Sequence, residues 1–171
     1  MKAPALACLL VFALSAGALA QETDAEKRGW FNRLNPFRSE RLPEYKDPQL
    51  RGLVMTLEVA PQPLKLSEVR QMDVRVRLTN KSKRPITLEF QTSQRFEIYL
   101  RNSSETVLTT WSDNHAFAQV VGTVYINPQE HIEYAETIAT RELTPNKVFI
   151  AEVFFPKYPE LRLRQKFLTA P

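Results

Sequence analysis

The chain has 171 residues, of which 43% are hydrophobic and 25% charged, and its formal net charge is +4. One cysteine, two histidines and four glycines are too few for a disulfide framework, a Cys- or His-rich metal site or a glycine-rich phosphate loop, so we expect no cofactor and no metal. Basic and acidic residues are interleaved along most of the chain, which argues against the dense basic patch of a nucleic-acid-binding protein.

The first 20 residues have the three parts of a signal peptide. Lys2 supplies the positive charge, residues 6–14 form an apolar run, and Ala18-Leu19-Ala20 is a cleavage site. The run is shorter than the roughly 20 apolar residues that a membrane-spanning helix needs, and no later segment offers another candidate. We therefore expect a periplasmic or secreted protein that begins at Gln21 and has neither a transmembrane segment nor a cysteine.

Residues 21–48 are charged and interrupted by proline, a composition typical of a flexible extension. Within them, residues 29–37 concentrate the aromatic side chains Trp30, Phe31 and Phe37 beside basic residues. Two interpretations stay open for this cluster. It packs on the protein's own domain, or it docks on a partner or a membrane surface.

Short strands with a period of two are predicted along residues 49–171. Apolar residues alternate in the runs 53–59, 72–78, 86–90 and 96–101, and further strands are predicted at 107–111, 123–126, 131–140, 148–155 and 161–168. Turn residues such as Asn127-Pro128 and Thr144-Pro145-Asn146 separate them. The pattern predicts one all-β domain, an antiparallel immunoglobulin-like β-sandwich of seven to nine strands.

The stretch Gln94–Gln119 predicts a β-hairpin and an adjoining loop. One strand carries Phe96 on its buried side, a polar turn at residues 102–104 follows, and the chain returns from Val107. Two large aromatics, Trp111 and Phe117, bracket the loop. Because a buried indole is common at the centre of a sandwich, we interpret these two residues and Phe96 as structural anchors rather than ligand-binding residues.

These motifs are similar to a known signature. The sequence QRFEIYLRN from Gln94, a serine-bearing turn, Trp111-Ser112-Asp113 and Phe117-x-Gln119 together resemble the intracellular proteinase inhibitor family of the BsuPI domain. The resemblance runs from about Val74 to Ala135. It includes the turn Asn127-Pro128-Gln129-Glu130, in which Gln129 stands where the family has glycine. The resemblance implies a protein partner, with a serine protease as the candidate.

The same loop contains the residue types of a catalytic triad, Ser112, Asp113 and His115. All three lie within four residues and no Gly-x-Ser-x-Gly turn is present, so a nucleophile and a base could not approach from separate supports. We expect no catalytic residues. We expect instead that Ser112, Asp113, Asn114 and His115 bind a partner, with the Asn127–Glu130 turn as a second candidate loop.

A second function fits the same features. If export is correct, the protein is either an inhibitor that places a rigid loop in a protease or a cell-envelope assembly module that docks through an edge strand. An exposed, rigid loop between Trp111 and Gln119 favours the inhibitor, and a loop packed flat favours the module. The oligomeric state is left open.

Two groups of charged and polar residues also admit two interpretations. Arg75 and Arg77 on one predicted strand, with Arg162, Arg164 and Lys166 on another, form a basic stripe if the strands are neighbours, or a solvated face paired with Glu58, Glu97 or Glu152. His131 and Glu133 share one strand face, but a metal site needs three or four converging ligands. We favour ion pairing for the first group and no metal for the second.

Overall fold

The computed structural model describes residues 42–171, which lie in one compact unit, Arg41–Pro171. The described residues form ten strands and two short 3-10 helices, Pro48–Leu50 and Trp111–Asn114. The strands are β1 Leu53–Ala60, β2 Leu64–Lys65, β3 Gln71–Asn80, β4 Ile86–Phe90, β5 Glu97–Arg101, β6 Val107–Thr110, β7 Gly122–Ile126, β8 His131–Ala139, β9 Val148–Phe155 and β10 Tyr158–Ala170. The all-β class predicted from the alternating pattern is therefore confirmed.

The strands form three sheets. One has the order β1-β3-β8, the second has the order β2-β10-β9-β5-β6, and the third pairs β4 with β7. Every pairing is antiparallel except that of β2 with β10, where Leu64 lies beside Thr169 in parallel register. The prediction of seven to nine strands missed β2, because its two residues are too few to show a period. The immunoglobulin-like arrangement of the strands stays a prediction.

One hydrophobic core lies between the sheets. Alternation decides which residues reach it: in β3, Met72, Val74, Val76 and Leu78 are all at most 2% exposed, while the residues between them face solvent. β9 contributes a second buried row that includes Phe155, whose ring lies 6.4 Å from that of Phe90 on β4. Burying each such large apolar side chain is worth about 1.5–3 kcal/mol, so these rows fix the register of the sheets.

The packed part of the chain begins before residue 49, where the sequence placed the boundary. Tyr45 is buried in the core, and burial, together with the negative charge of Glu160, raises the pKa of its phenol. The Glu160 carboxylate also accepts hydrogen bonds from the backbone N–H groups of Lys46 and Asp47. Residues 45–48 are therefore bound to the domain, although their composition resembles that of a tail.

Residues 1–41 lie outside the described part of the chain. The predicted signal peptide, most of the predicted extension and the aromatic cluster at Trp30, Phe31 and Phe37 fall there and stay predictions. Among residues 42–171, no helix is long and apolar enough to cross a membrane.

The basic stripe predicted from two strands does not form, because the two strands belong to different sheets. Arg75 and Arg77 lie on β3, whereas Arg162, Arg164 and Lys166 lie on β10. Ion pairing is what the structure shows at both places. Arg75 contacts Glu58 at 3.7 Å and Arg162 contacts Glu152 at 2.8 Å. Glu97, the third acidic partner considered, makes other contacts.

Candidate functional site

The β5–β6 hairpin positions the candidate loop. β5 pairs with β9 on one side and with β6 on the other. The hairpin turn is held by Asn102, whose side-chain oxygen accepts the N–H groups of Ser104 and Thr106, both at 2.9 Å. Glu105 takes the left-handed conformation that closes this turn, with φ at 65°. The predicted hairpin is thus present, and it delivers the chain to Trp111.

Trp111 lies at the centre of an aromatic stack. Its indole stacks on the Phe96 ring, with 5.1 Å between centroids, and the His115 imidazole stacks on it with 4.1 Å. Phe117 completes the group at 5.7 Å from Trp111. Trp111 is 7% exposed, Phe96 is also buried, and Phe117 is half-buried. These three residues therefore pack against one another, and their role as anchors stays a prediction.

A buried carboxylate holds the start of the loop. Glu97 is 5% exposed, and its Oε1 accepts hydrogen bonds from the N–H of Ser112 at 3.1 Å and from its neighbour Ile98 at 3.0 Å. The His115 ring nitrogen Nδ1 lies 2.7 Å from the carbonyl oxygen of Trp111. The 3-10 helix Trp111–Asn114 is therefore held to β5 by Glu97, and its two ends are held together by the contact between His115 and Trp111.

The far end of the same loop is fixed by residues that precede β5. Ser93 exchanges two hydrogen bonds with Ala118, one donated by its own N–H and one accepted by its Oγ, both at 2.9 Å. Beyond them, the Arg95 guanidinium packs against Gly122 so closely that a Cβ at this glycine would lie 2.2 Å from Nη2. A side chain at this position would require the Arg95 guanidinium, the far end of a flexible side chain, to move. We call residues 112–121 the clamped loop.

The clamped loop exposes side chains on both sides of its attachment at Ala118. Asp113, Asn114, His115 and Ala116 are exposed, and so are Val120 and Val121, at 62% and 65%. The two valines were not predicted as site residues, although an apolar pair in a segment without strand alternation indicates an exposed apolar patch. Such a loop can contact another protein through both polar and apolar groups.

The triad-like residues of this loop are not linked by side-chain hydrogen bonds. Within residues 42–171, Ser112, Asp113 and His115 make no side-chain hydrogen bond to one another, and the His115 Nδ1 position is taken by a backbone carbonyl. A general base must lie within hydrogen-bond reach of its nucleophile. The arrangement thus serves the shape of the loop.

The second candidate loop is the Asn127–Glu130 turn at the other end of β7. Asn80, a buried side chain, donates to the carbonyl of Ile126 at 2.8 Å, and its backbone carbonyl accepts the N–H of Gln129 at 2.8 Å. Gln129 has a φ of 67°. Since the two candidate loops flank opposite ends of a five-residue strand, the structure does not combine them in one site.

One of the two residues considered for a metal, Glu133, forms ion pairs. The Glu133 carboxylate contacts Arg77 at 2.6 Å and Arg75 at 3.1 Å. The hydrogen bond from Arg77 holds the pKa of this carboxyl below its ordinary value, and the positive charges of Arg77 and Arg75 act in the same direction. Among the described residues, no three acidic, His or Cys side chains converge as metal ligands.

Comparison with known families assigns the hairpin and both candidate loops to one family domain. The sequence profile of the family described as "BsuPI: Intracellular proteinase inhibitor" matches residues 57–159, well over half of the chain. The chain belongs to the BsuPI family. The match includes the hairpin, the whole clamped loop and the Asn127–Glu130 turn, so these are parts of the BsuPI domain.

The backbone explains one difference from the BsuPI signature. Gln129 stands where the resemblance places glycine, and its positive φ is the conformation in which glycine has no steric cost. The turn thus has a positive φ at Gln129 although the glycine is absent, and two backbone hydrogen bonds between the turn and Asn80 hold it.

Comparisons with curated proteins and with solved structures identify no further relationship. No curated protein matches the chain. Among solved structures, a β-glucosidase from Erythrobacter marinus has a TM-score of 0.42 at 10% identity, over 69% of this chain and 15% of that one. A β-glucosidase from Listeria innocua has 0.40 at 11%, over 70% and 16%. The structural genomics target SoR45 has 0.35 at 11%, over 71% and 88%. The chain thus spans a small part of the two glucosidases, and likenesses this distant support no conclusion.

Proposed function

We propose that the protein is an exported inhibitor of a serine protease and that it binds its target through the clamped loop. Membership of the BsuPI family supports a proteinase-inhibitor-like activity. The observation that carries the assignment to this loop is its double attachment, by Glu97 to Ser112 at one end and by Ser93 to Ala118 at the other. Asp113, Asn114 and His115 are the contact residues we propose.

A fixed loop is physically suited to inhibition. A flexible loop loses conformational freedom when it enters a protease cleft, at about 0.5–1.5 kcal/mol for each side chain immobilised, whereas a loop already held in place loses less. The aromatic stack under Trp111 and the exchange at Ser93 order this loop before binding. The exposed Val120 and Val121 add apolar contact area that a polar tip alone would lack.

Inhibition assays with matched variants test this function. The protein is titrated against a panel of serine proteases, and the double variant Asp113→Ala/Asn114→Ala is expected to weaken inhibition at least tenfold, about 1.4 kcal/mol of binding free energy. His115 is left unchanged because its ring packs on Trp111, so that alanine there would disturb the loop itself.

The control is Lys81→Ala/Lys83→Ala, two exposed residues in the β3–β4 connection beside the Asn127–Glu130 turn. This variant should inhibit as the wild type does, and both variants should melt within a few degrees of it. If the wild-type protein inhibits no protease of the panel at micromolar concentration, the proposal is wrong.

One observation favours a second function, the envelope interaction module. Tyr125 on β7 is 67% exposed and follows the exposed Val120 and Val121, and β7 pairs with a single strand, β4. An apolar strand that is paired on one side can accept a strand from another protein. Capture of a non-protease envelope protein, lost in the Tyr125→Lys variant and kept in Asp113→Ala/Asn114→Ala, would favour this function over inhibition.

Export itself is part of the proposal, and it rests on the signal-peptide pattern of residues 1–20. Cell fractionation followed by N-terminal sequencing should find a protein that begins at Gln21 outside the cytoplasm. A cytoplasmic protein with an intact Met1 would leave an inhibitor of intracellular proteases as the proposal.

A further inference from the structure

The outer face of the five-stranded sheet contains a carboxylate that is completely covered by arginines. Glu152 projects from β9 between β5 and β10, and it is 0% exposed. Its Oε1 accepts hydrogen bonds from Arg162 at 2.8 Å and from Arg164 at 3.2 Å, and its Oε2 accepts one from Arg101. One buried anion thus orders three guanidinium groups that come from two neighbouring strands.

The cations on this face outnumber the anions. Arg101, Arg162, Arg164 and Lys166 face two carboxylates, those of Glu152 and Glu105, so four positive charges against two negative ones leave +2. At the margin, the buried Glu97 adds a third negative charge, and with it the excess is +1. We call these four basic residues, with the aromatic side chains beneath them, the arginine face.

The guanidinium groups have donors to spare. Within residues 42–171, Nε and Nη2 of Arg162 and Nη2 of Arg101 make no hydrogen bond. The side chains of Arg162 and Arg164 are 42% and 44% exposed, although both contact Glu152. A guanidinium offers five N–H groups in a planar fork that matches a carboxylate. Arg162 and Arg164 therefore present ordered and accessible donors, whereas the Arg101 side chain, at 17% exposed, is largely covered.

Aromatic rings support the arginines. The Arg162 guanidinium lies over the Phe154 ring at 4.6 Å, Arg101 lies over Tyr99 at 5.2 Å, and the two rings meet edge to face at 5.0 Å. Exposed apolar side chains continue the same face. Leu168 lies opposite Val148 in the register, and Val107 lies opposite Arg101. Arginine and aromatic residues held in place are the composition of binding hot spots.

We propose that the arginine face is a docking surface for an acidic segment of another protein. Charge complementarity selects the acid groups of the partner, and the exposed Val107, Val148 and Leu168 select apolar side chains next to them. The two carboxylates within the face and its apolar margin favour a protein over a polyphosphate such as nucleic acid. The surface is distinct from the clamped loop, and its occupancy does not depend on protease inhibition.

Titration of the full chain with poly-L-glutamate tests this docking surface. The wild type should bind the polymer at low ionic strength and progressively more weakly as salt is added, because the contacts are between charges. The double variant Arg162→Gln/Arg164→Gln should bind at least tenfold more weakly. The matched control Arg75→Gln/Arg77→Gln removes the same charge from the outer face of the β1-β3-β8 sheet. It should change the affinity for poly-L-glutamate less than twofold.

The variant Arg162→Gln/Arg164→Gln loses two partners of Glu152, and thermal unfolding shows whether it still folds. If it does not, two further variants test the proposal. Lys166→Gln, which removes no Glu152 contact, should weaken binding, and Glu105→Gln, which frees Arg164 from its 2.9 Å ion pair, should strengthen it. The proposal is overturned if the wild type does not bind poly-L-glutamate, if the two double variants bind it alike, or if a single-stranded oligonucleotide of equal charge binds more tightly.

Discussion

At the scale of single residues, the indole of Trp111 joins the core to the clamped loop. It contacts Phe96 on one side and His115 on the other, and its N–H has no hydrogen-bond acceptor among the described residues. Replacing Trp111 by alanine should therefore lower the free energy of unfolding by about 3–5 kcal/mol, the usual cost of removing a large buried aromatic.

Trp111→Phe is the control for this change, because it keeps a stacking ring and loses no protein hydrogen bond, so it should cost far less than alanine. Chemical denaturation measures both variants. A loss below about 1 kcal/mol for the alanine variant would contradict the anchor role of Trp111.

Gln129 allows the opposite prediction, a gain of stability. Its φ of 67° is costly for a residue with a Cβ, and glycine removes that cost while increasing the freedom of the unfolded chain. We expect Gln129→Gly to raise the free energy of unfolding by about 0.5–1 kcal/mol. Gln129→Ala keeps the strain and is the control. A glycine variant no more stable than the alanine variant would show that the turn stores no strain.

At the scale of elements, β6 shows where pattern reasoning fails. The sequence places Val107 and Trp111 on one buried strand face, but Val107 is 39% exposed, and Trp111 is buried from a 3-10 helix instead. A shift of register between Leu100 and Arg101 breaks the alternation along this strand. Trp111 is buried, but from the 3-10 helix and not from the strand predicted at residues 107–111.

The strands β5, β9 and β10 are joined by Glu152, and this bond gives a pH dependence. Burial raises the pKa of the Glu152 carboxyl, but the hydrogen bonds and charges of Arg101 and Arg164 outweigh it and hold the pKa below its ordinary value. A carboxyl with a depressed folded-state pKa stabilises the protein at pH values above its unfolded-state pKa, near 4.3, and this stabilisation is lost as the pH falls through the folded-state pKa.

We therefore expect Glu152→Gln to destabilise the protein at pH 7 by about 3 kcal/mol, the low end for breaking a buried ion pair, because the arginines are partly exposed. The difference in unfolding free energy between this variant and the wild type should become smaller below about pH 4. Urea denaturation at pH 7 and pH 3.5 measures it. Glu133→Gln, an exposed carboxylate paired with Arg77, should change stability much less. An equal effect of both variants would contradict this account.

At the scale of the whole molecule, the period of two predicted which strand residues are buried in regular rows. It did not predict the buried residues whose surroundings are supplied by distant segments of the chain. The inward rows of β3, β4 and β5 are those the period of two indicates, since Met72, Leu88 and Ile98 are buried as expected. Glu97 and Glu152 are buried although they alternate as outward residues, because backbone N–H groups and arginines from other segments cover them. Such pairings between segments leave no periodic signal in a sequence.

The start of the domain also depends on contacts between distant residues, which is why the structure places it before the predicted residue 49. Truncation tests this earlier boundary. Tyr45 is 9% exposed in the core, the Lys46 and Asp47 N–H groups bind Glu160, and the Pro48 carbonyl accepts a hydrogen bond from Arg84. A chain that starts at residue 41 should keep its cooperative unfolding transition, since Arg41–Pro171 is one compact unit. A chain that starts at residue 49 should lose about 3 kcal/mol or more, the cost of deleting a buried aromatic.

The single substitution Tyr45→Ala in the full chain separates packing from chain length in this truncation. It should reproduce most of the loss of the shorter chain, because the ring fills core space that the hydrogen bonds to Glu160 only help to position. Tyr45→Phe is the control and should be close to wild type, since it keeps the ring. Thermal and urea unfolding compare all four proteins. If the chain from residue 41 itself failed to unfold cooperatively, residues 1–40 would contribute to the fold, and the boundary argued from Tyr45 would be wrong.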